Sequence, residues 1–105
     1  IEDAVGQAEA GDLESAVLST RLAFSCAVDA LVVVNGQHDR NPKWRARRMR
    51  AAAPEVLAFD RYWRIEVMRD LDPAAPLQWV EQTLDLCREL MNGVAEQVRQ
   101  RPATA

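Results

Sequence analysis

The sequence predicts an all-α protein: an up-and-down bundle of four to five helices forming a single domain over residues 1–105. Apolar residues recur at alternating spacings of three and four through two long stretches, about 13–34 and 77–98, which is the signature of one buried helix face. No segment alternates with a period of two, so nothing reads as a half-buried strand. Helix-stopping and helix-starting residues fall between the periodic stretches, at Gly11-Asp12, Asn35-Gly36, Asn41-Pro42 and Pro54, and across residues 70–76.

A short first helix is expected over residues 1–10, with Glu2 and Asp3 favouring its N-terminus and Gly11 closing it. Asp12 is a suitable N-cap for a second helix, about 13–35. Leu13, Val17, Thr20, Phe24, Ala27, Leu31 and Val34 form one face of that helix, which Leu18, Leu22, Val28 and Val32 widen. Its second half is apolar nearly all round, so it should be the central rod, and Gly36 suits the left-handed residue after its end. A polar connection, 37–40, leads to a third helix of about 42–53, with Asn41 as cap and Pro42 in the first position, where a missing N–H costs nothing. A fourth helix, about 54–69, should bury Val56, Phe59, Trp63 and Val67, with Leu57 and Ile65 at the sides. The run D-L-D-P-A-A-P is a loop. The fifth helix, about 77–100, carries a seam of Leu77, Val80, Leu84, Cys87, Met91, Val94 and Val98, flanked by Trp79, Leu86 and Leu90. Gly93 costs about 1 kcal/mol against alanine in a helix interior, so close backbone packing is expected there. Arg101-Pro102 ends the helix, and the last residues should be disordered.

The totals exclude several function classes. The net charge of −3 argues against a general nucleic-acid or membrane-surface binder. The charge is unevenly spread: residues 40–50 hold six basic side chains and no acid, leaving seven basic residues against sixteen acids elsewhere. The longest uninterrupted apolar run, 30–34, is far too short to cross a bilayer. With two cysteines, no CxxC pair and one histidine, a zinc site is not expected, and no metal ligands are assigned. Cys26 and Cys87 read as buried thiols in a reducing compartment, with a disulfide between facing helices as the alternative. No signal peptide pattern opens the chain, so a cytoplasmic location is expected. A first residue of Ile rather than Met is the mark either of trimming or of one part of a longer protein.

Three features could carry chemistry. In the third helix Lys43, Arg47 and Arg50 are spaced by four and three and so share a face, with Arg45 and Arg48 on neighbouring faces and Trp44 and Met49 supplying apolar contact. Forked guanidinium donors near a helix start suit phosphate or carboxylate; the plainer reading is a solvated or salt-bridged face. On the second helix Arg21, Ser25 and Asp29 lie four apart. They either line a groove for a polar ligand or make an internal ion pair, for instance from Asp29 to Arg64 or Arg61. His38, the lone histidine, sits in the connecting turn and is a possible acid–base group, but a loop histidine is usually only exposed. The acids Glu55, Asp60, Glu66 and Asp70 form no metal-ligand signature, and no nucleophile–base order or phosphate-cradling glycine loop occurs.

The run A-L-V-V-V-N-G-Q-H-D-R-N-P-K-W-R resembles a stretch of the helical domain that follows the catalytic domain in bacterial nucleotidyltransferase-like proteins, a group similar to the aminoglycoside (kanamycin-type) nucleotidyltransferases. Ala30, Leu31, Asn35, Pro42, Lys43 and Trp44 carry the likeness, which covers mainly the second and third helices. The resemblance implies a substrate-binding or lid domain for an anionic or nucleotide-linked substrate, bound through residues 35–50 and not catalytic alone. Lys43 would meet phosphate, Asn35 would fix the turn that presents it, and Trp44 would anchor the third helix, with Arg47 and Arg50 adding charge. The implied partner is a nucleotidyltransferase catalytic domain in cis or trans, and nucleoside triphosphate and Mg would belong to that domain and not to this chain. The Gly-Ser turn of the catalytic part is absent from these residues. The alternative is a bundle that serves only protein–protein association, as a homo-oligomer; binding to RNA through residues 40–50 is disfavoured by the overall acidity.

Overall fold

In the computed structural model of the chain, which describes residues 1–38 and 41–101, five α-helices follow one another: α1 (Glu2–Glu9), α2 (Leu13–Val34), α3 (Arg45–Ala52), α4 (Phe59–Glu66) and α5 (Pro76–Arg99). A single turn of 3-10 helix, Pro42–Trp44, precedes α3, and no strand occurs among the described residues. The architecture is an all-α bundle, elongated to 48 × 25 × 21 Å because α2 and α5 run nearly its whole length.

Local signals set the path. α1 ends on Gly11 at φ +81°, where the Gly11 and Asp12 amides bond back to the Ala8 and Gln7 carbonyls. Asp12 then caps α2, its carboxylate accepting from the Ser15 amide at 3.2 Å. The two helices form an antiparallel hairpin fastened by a hydrogen bond of 2.7 Å between the side chains of Gln7 and Ser19. The far end of α2 closes the same way: Gly36 sits at φ +94°, its amide reaches the Val33 carbonyl and the Gln37 amide reaches Val32. Asn35 adds a side-chain bond to the Leu31 carbonyl at 2.8 Å, and Arg101 donates to the Val34 carbonyl at 2.8 Å, so a cation meets the negative end of the helix dipole. α3 and α4 bring the chain back, and α5 then runs parallel to α2.

The core has two parts. Around the distal half of α2, Phe24, Ala27, Val28, Leu31 and Val32 pack with Met49 of α3, Leu57, Tyr62 of α4, and Leu86, Cys87 and Leu90 of α5. Near the hairpin, Ala4, Ala16 and Val17 pack with Trp79, Val80 and Leu84. Thr20, wholly buried, satisfies its hydroxyl on the Ala16 carbonyl at 2.7 Å. The alternation along α2 thus selects the right face, but Leu18 and Leu22 do not widen it: they are 64% and 66% exposed.

Other expectations need correction. α4 begins at Phe59 and not near 54, because Ala53 turns left-handed at φ 42° and Ala58 is extended before it. Shortening α4 to two turns leaves Val56, Trp63 and Val67 exposed and gives its buried place to Tyr62, which has no exposed surface. On α5 the seam is rotated: Leu77, Met91 and Val98 are exposed, whereas the supposed flank Trp79, Leu86 and Leu90 is buried. Gly93 packs against nothing closely, since an added Cβ would meet no atom within 4 Å. Cys26 is exposed while Cys87 is buried, and both are free thiols. α2 as a whole is also long and apolar enough, by length and composition, to cross a membrane, although its longest uninterrupted apolar run is short. Here it is the central helix of the bundle. The expected disorder of the tail beyond Arg101, and part of the polar connection with Asp39 and Arg40, lie outside the described residues.

Candidate anion-binding end of the bundle

The basic segment divides by depth. Asn41 accepts the Lys43 amide on its side-chain oxygen at 3.1 Å and starts the 3-10 turn. α3 therefore begins at Arg45, and Arg45, Arg48 and Met49 are the residues turned into the bundle. Arg45 and Arg48 are only 8% and 5% exposed. Arginine is rarely buried unless paired, and both are. Arg45 makes a forked contact with Asp29 of α2, Nε to Oδ1 at 3.0 Å and Nη2 to Oδ2 at 3.3 Å, and reaches Glu66 of α4 with Nη1 at 3.2 Å. Arg48 donates to the Asn41 carbonyl at 2.9 Å and lies 3.9 Å from Asp29. The network thus ties α2, α3 and α4 together at one end of the bundle. Asp29 does make an internal ion pair, but with Arg45 and Arg48, not with Arg64 or Arg61; Arg64 pairs with Asp70 at 2.9 Å.

Burial works to lower the Arg45 pKa, but the Asp29 hydrogen bond and the charges of Asp29 and Glu66 outweigh it, so the net shift is upward and the guanidinium stays charged. Tyr62 completes the network. Burial, then its hydrogen bond to Glu66 and that carboxylate's charge, push the phenol well above its ordinary value.

Among the described residues the other three basic side chains of the segment face outward, and they do not form one cluster. Lys43 and Arg47 both lie against the half-buried ring of Trp44, Nζ at 5.0 Å and Cζ at 4.3 Å from its centroid. Arg47 also lines a concavity of about 610 Å³ with Gln37, His38, Trp44 and Ala51. Arg50 instead lies over Phe59 at 3.7 Å and borders a different hollow, with Met49, Pro54 and Leu57. The shared face drawn from spacing assumed a regular helix from residue 42; the 3-10 turn breaks that register. Asn35 closes α2 at the same end of the bundle.

The second candidate line separates too. Arg21 is exposed, and Ser25 returns its hydroxyl to the Arg21 carbonyl at 3.1 Å. Asp29 alone of that line is engaged with another helix. Among the described residues, no group of three or more His, Cys, Asp or Glu is placed to hold a metal ion. Sequence reasoning set Arg45 beside the site and left Tyr62 and Glu66 out; the signal available was Arg45 and Arg48 flanking Met49, a mixed polar and apolar inner face.

Cys87 gives the interior a pH signature. Burial pushes its thiol up from 9.0 to about 11. The folded chain then keeps a proton that the unfolded chain has released, so stability is complete below about pH 9 and falls as pH rises to about 11, by up to about 2–3 kcal/mol. Urea titrations at pH 8, 9, 10 and 11 should show this decline, and Cys87→Ala should be less stable at pH 8 but flatter between pH 9 and 10.

No family model, curated protein or solved structure matches the chain.

Proposed function

We propose that this chain is a helical substrate-binding domain that takes the phosphate of an anionic or nucleotide-linked substrate at the α2–α3 end of the bundle, beside a separate catalytic part of the nucleotidyltransferase type. One observation carries the proposal. Lys43 and Arg47 are held against Trp44, and Arg47 and Trp44 line a concavity with His38, while the neighbouring Arg45 and Arg48 are already engaged by Asp29 and Glu66. Two outward cations fixed on an aromatic plane lose less side-chain freedom on binding than two free ones, and the forked arginine suits a phosphate oxygen pair. The likeness around Asn35 and Lys43 supplies the nucleotidyltransferase context.

Calorimetric titration with inorganic triphosphate tests the reading. Lys43→Ala combined with Arg47→Ala should weaken binding by about tenfold or more, since each charge-assisted bond contributes about 1.5–3 kcal/mol before solvent screening. The thermal midpoint should stay within about 2 °C of the parent, as expected for exposed substitutions. Equal affinity in parent and double variant would overturn the reading.

A second reading, self-association, has its own support. Leu18 and Leu22 are exposed one turn apart on α2, Cys26 lies a further turn on, and Leu22 and Cys26 share a hollow of about 330 Å³ with Ile1 and Met91. Sedimentation that shifts with concentration in the parent and not in Leu22→Glu would favour it.

A further inference from the structure

The solvent face of α2 is complementary to itself. Leu18 and Leu22 are 64% and 66% exposed, more than any other large apolar side chain among the described residues. With Ser25 and Asp29 they fall at i, i+4, i+7 and i+11, one stripe along the helix. The far end of that stripe is closed by α3, whose Arg45 lies against the Asp29 carboxylate. The near end, at Leu18 and Leu22, has no such cover.

Two charges border the open part. Glu14 and Arg21 are both exposed, and among the described residues neither makes an ion pair. Seven residues apart, they share one edge of the stripe on either side of Leu18. They stand about 10 Å apart along the axis, too far to pair within one helix.

We propose that this face is the interface of a weak symmetric dimer, in which α2 of two copies cross antiparallel on a two-fold axis at Leu18. This rests on the self-association reading above and is independent of the basic end. Leu18 then meets Leu18 of the other copy, and Leu22 covers the first turn of the other α2. Each Glu14 comes level with Arg21 of the other copy, so two ion pairs form that one chain cannot make. In a parallel pair each Glu14 would stand level with the other Glu14, and each Arg21 with the other Arg21, so those attractions are missing. The antiparallel contact also clears α3: Leu13 of one copy comes level with Ala23 of the other, short of Asp29. A contact of two to three helical turns is at the small end of interface sizes, so dissociation is expected at about 10–500 µM.

Sedimentation equilibrium from about 10 µM to 1 mM at low salt, where exposed charges are least screened, tests the proposal. The parent should dimerise. Glu14→Arg and Arg21→Glu should each weaken the dimer about tenfold, since each change turns two attractions into repulsions. An equimolar mixture of these two variants should regain the parent affinity, because acid then meets base at both edges. Diamide oxidation of the Leu18→Cys, Cys26→Ser variant should give a disulfide-linked dimer. In the parent, Cys26 of the two copies lie about 24 Å apart and should stay unlinked. A parent that is monomeric at 1 mM would overturn both the proposal and the reading beneath it. A parent dimer that Leu22→Glu abolishes, with no recovery in the mixture, would overturn this pairing and leave self-association standing. Linkage of the parent through Cys26 as readily as of the Leu18→Cys variant would also overturn it, in favour of a parallel pair.

Discussion

Asp29→Ala is expected to destabilise the chain by about 3 kcal/mol and lower the thermal midpoint by more than about 10 °C. The carboxylate is the shared anchor of Arg45 and Arg48, whose side chains keep 9% and 6% of their surface, and its loss takes from both buried guanidinium groups the carboxylate they share. Breaking a buried pair costs about 3–5 kcal/mol; Asp29 retains 23% exposure, which lets water reach the gap and places the effect at the lower end. The pair need not be strongly stabilising in itself, because both ions were desolvated to make it. Asp29→Leu together with Arg45→Met should therefore lose less than the two single changes summed, but should recover only part of the loss, because Arg48 still loses Asp29 and Glu66 loses Arg45. Urea denaturation of the four proteins of this cycle measures it.

Tyr62→Ala should cost about 3–5 kcal/mol, the range for deleting a large buried aromatic. Tyr62 is fully enclosed and lies among rings: 6.2 Å from Phe24, 5.6 Å from Phe59 and 6.4 Å from Trp63, centroid to centroid. It is also where the two kinds of cohesion meet, since its ring belongs to the core and its hydroxyl to the Asp29–Arg45–Glu66 network. Tyr62→Phe isolates the second contribution and should cost about 1–2 kcal/mol by withdrawing a donor from Glu66. Because the phenol is held protonated to higher pH than in the unfolded chain, that contribution is present below pH 10 and fades above it. Loss of near-ultraviolet ellipticity in urea would report both variants.

The bundle was legible in the sequence because its boundaries are written in short-range chemistry. Asp12, Gly11, Gly36 and Asn41-Pro42 act within a turn of where they stand, and each does in space what its type suggests. The central role of α2 followed from Phe24, Ala27, Leu31 and their neighbours in the same way. What spacing could not show is which part of a broad apolar helix faces inward. Leu18 and Leu22 are as apolar as Leu31, and only the directions of α1 and α5 decide that they stay outside. Trp63 and Tyr62 are neighbours in α4, and the larger apolar ring is the exposed one. The basic segment misled for a related reason. Six like charges in a row look like one surface, but one turn of 3-10 helix sends Arg45 and Arg48 inward to acids distant in sequence. Long-range pairing of that kind leaves no mark in local periodicity.

The division of the basic segment is therefore what the whole account rests on, and urea unfolding of five single variants, each replacing Lys43, Arg45, Arg47, Arg48 or Arg50 by glutamine, tests it most directly. Arg45→Gln and Arg48→Gln should each lose about 2–4 kcal/mol, while Lys43→Gln, Arg47→Gln and Arg50→Gln should stay within about 1 kcal/mol of the parent. Five similar losses, or larger losses at Lys43 and Arg47 than at Arg45 and Arg48, would contradict it.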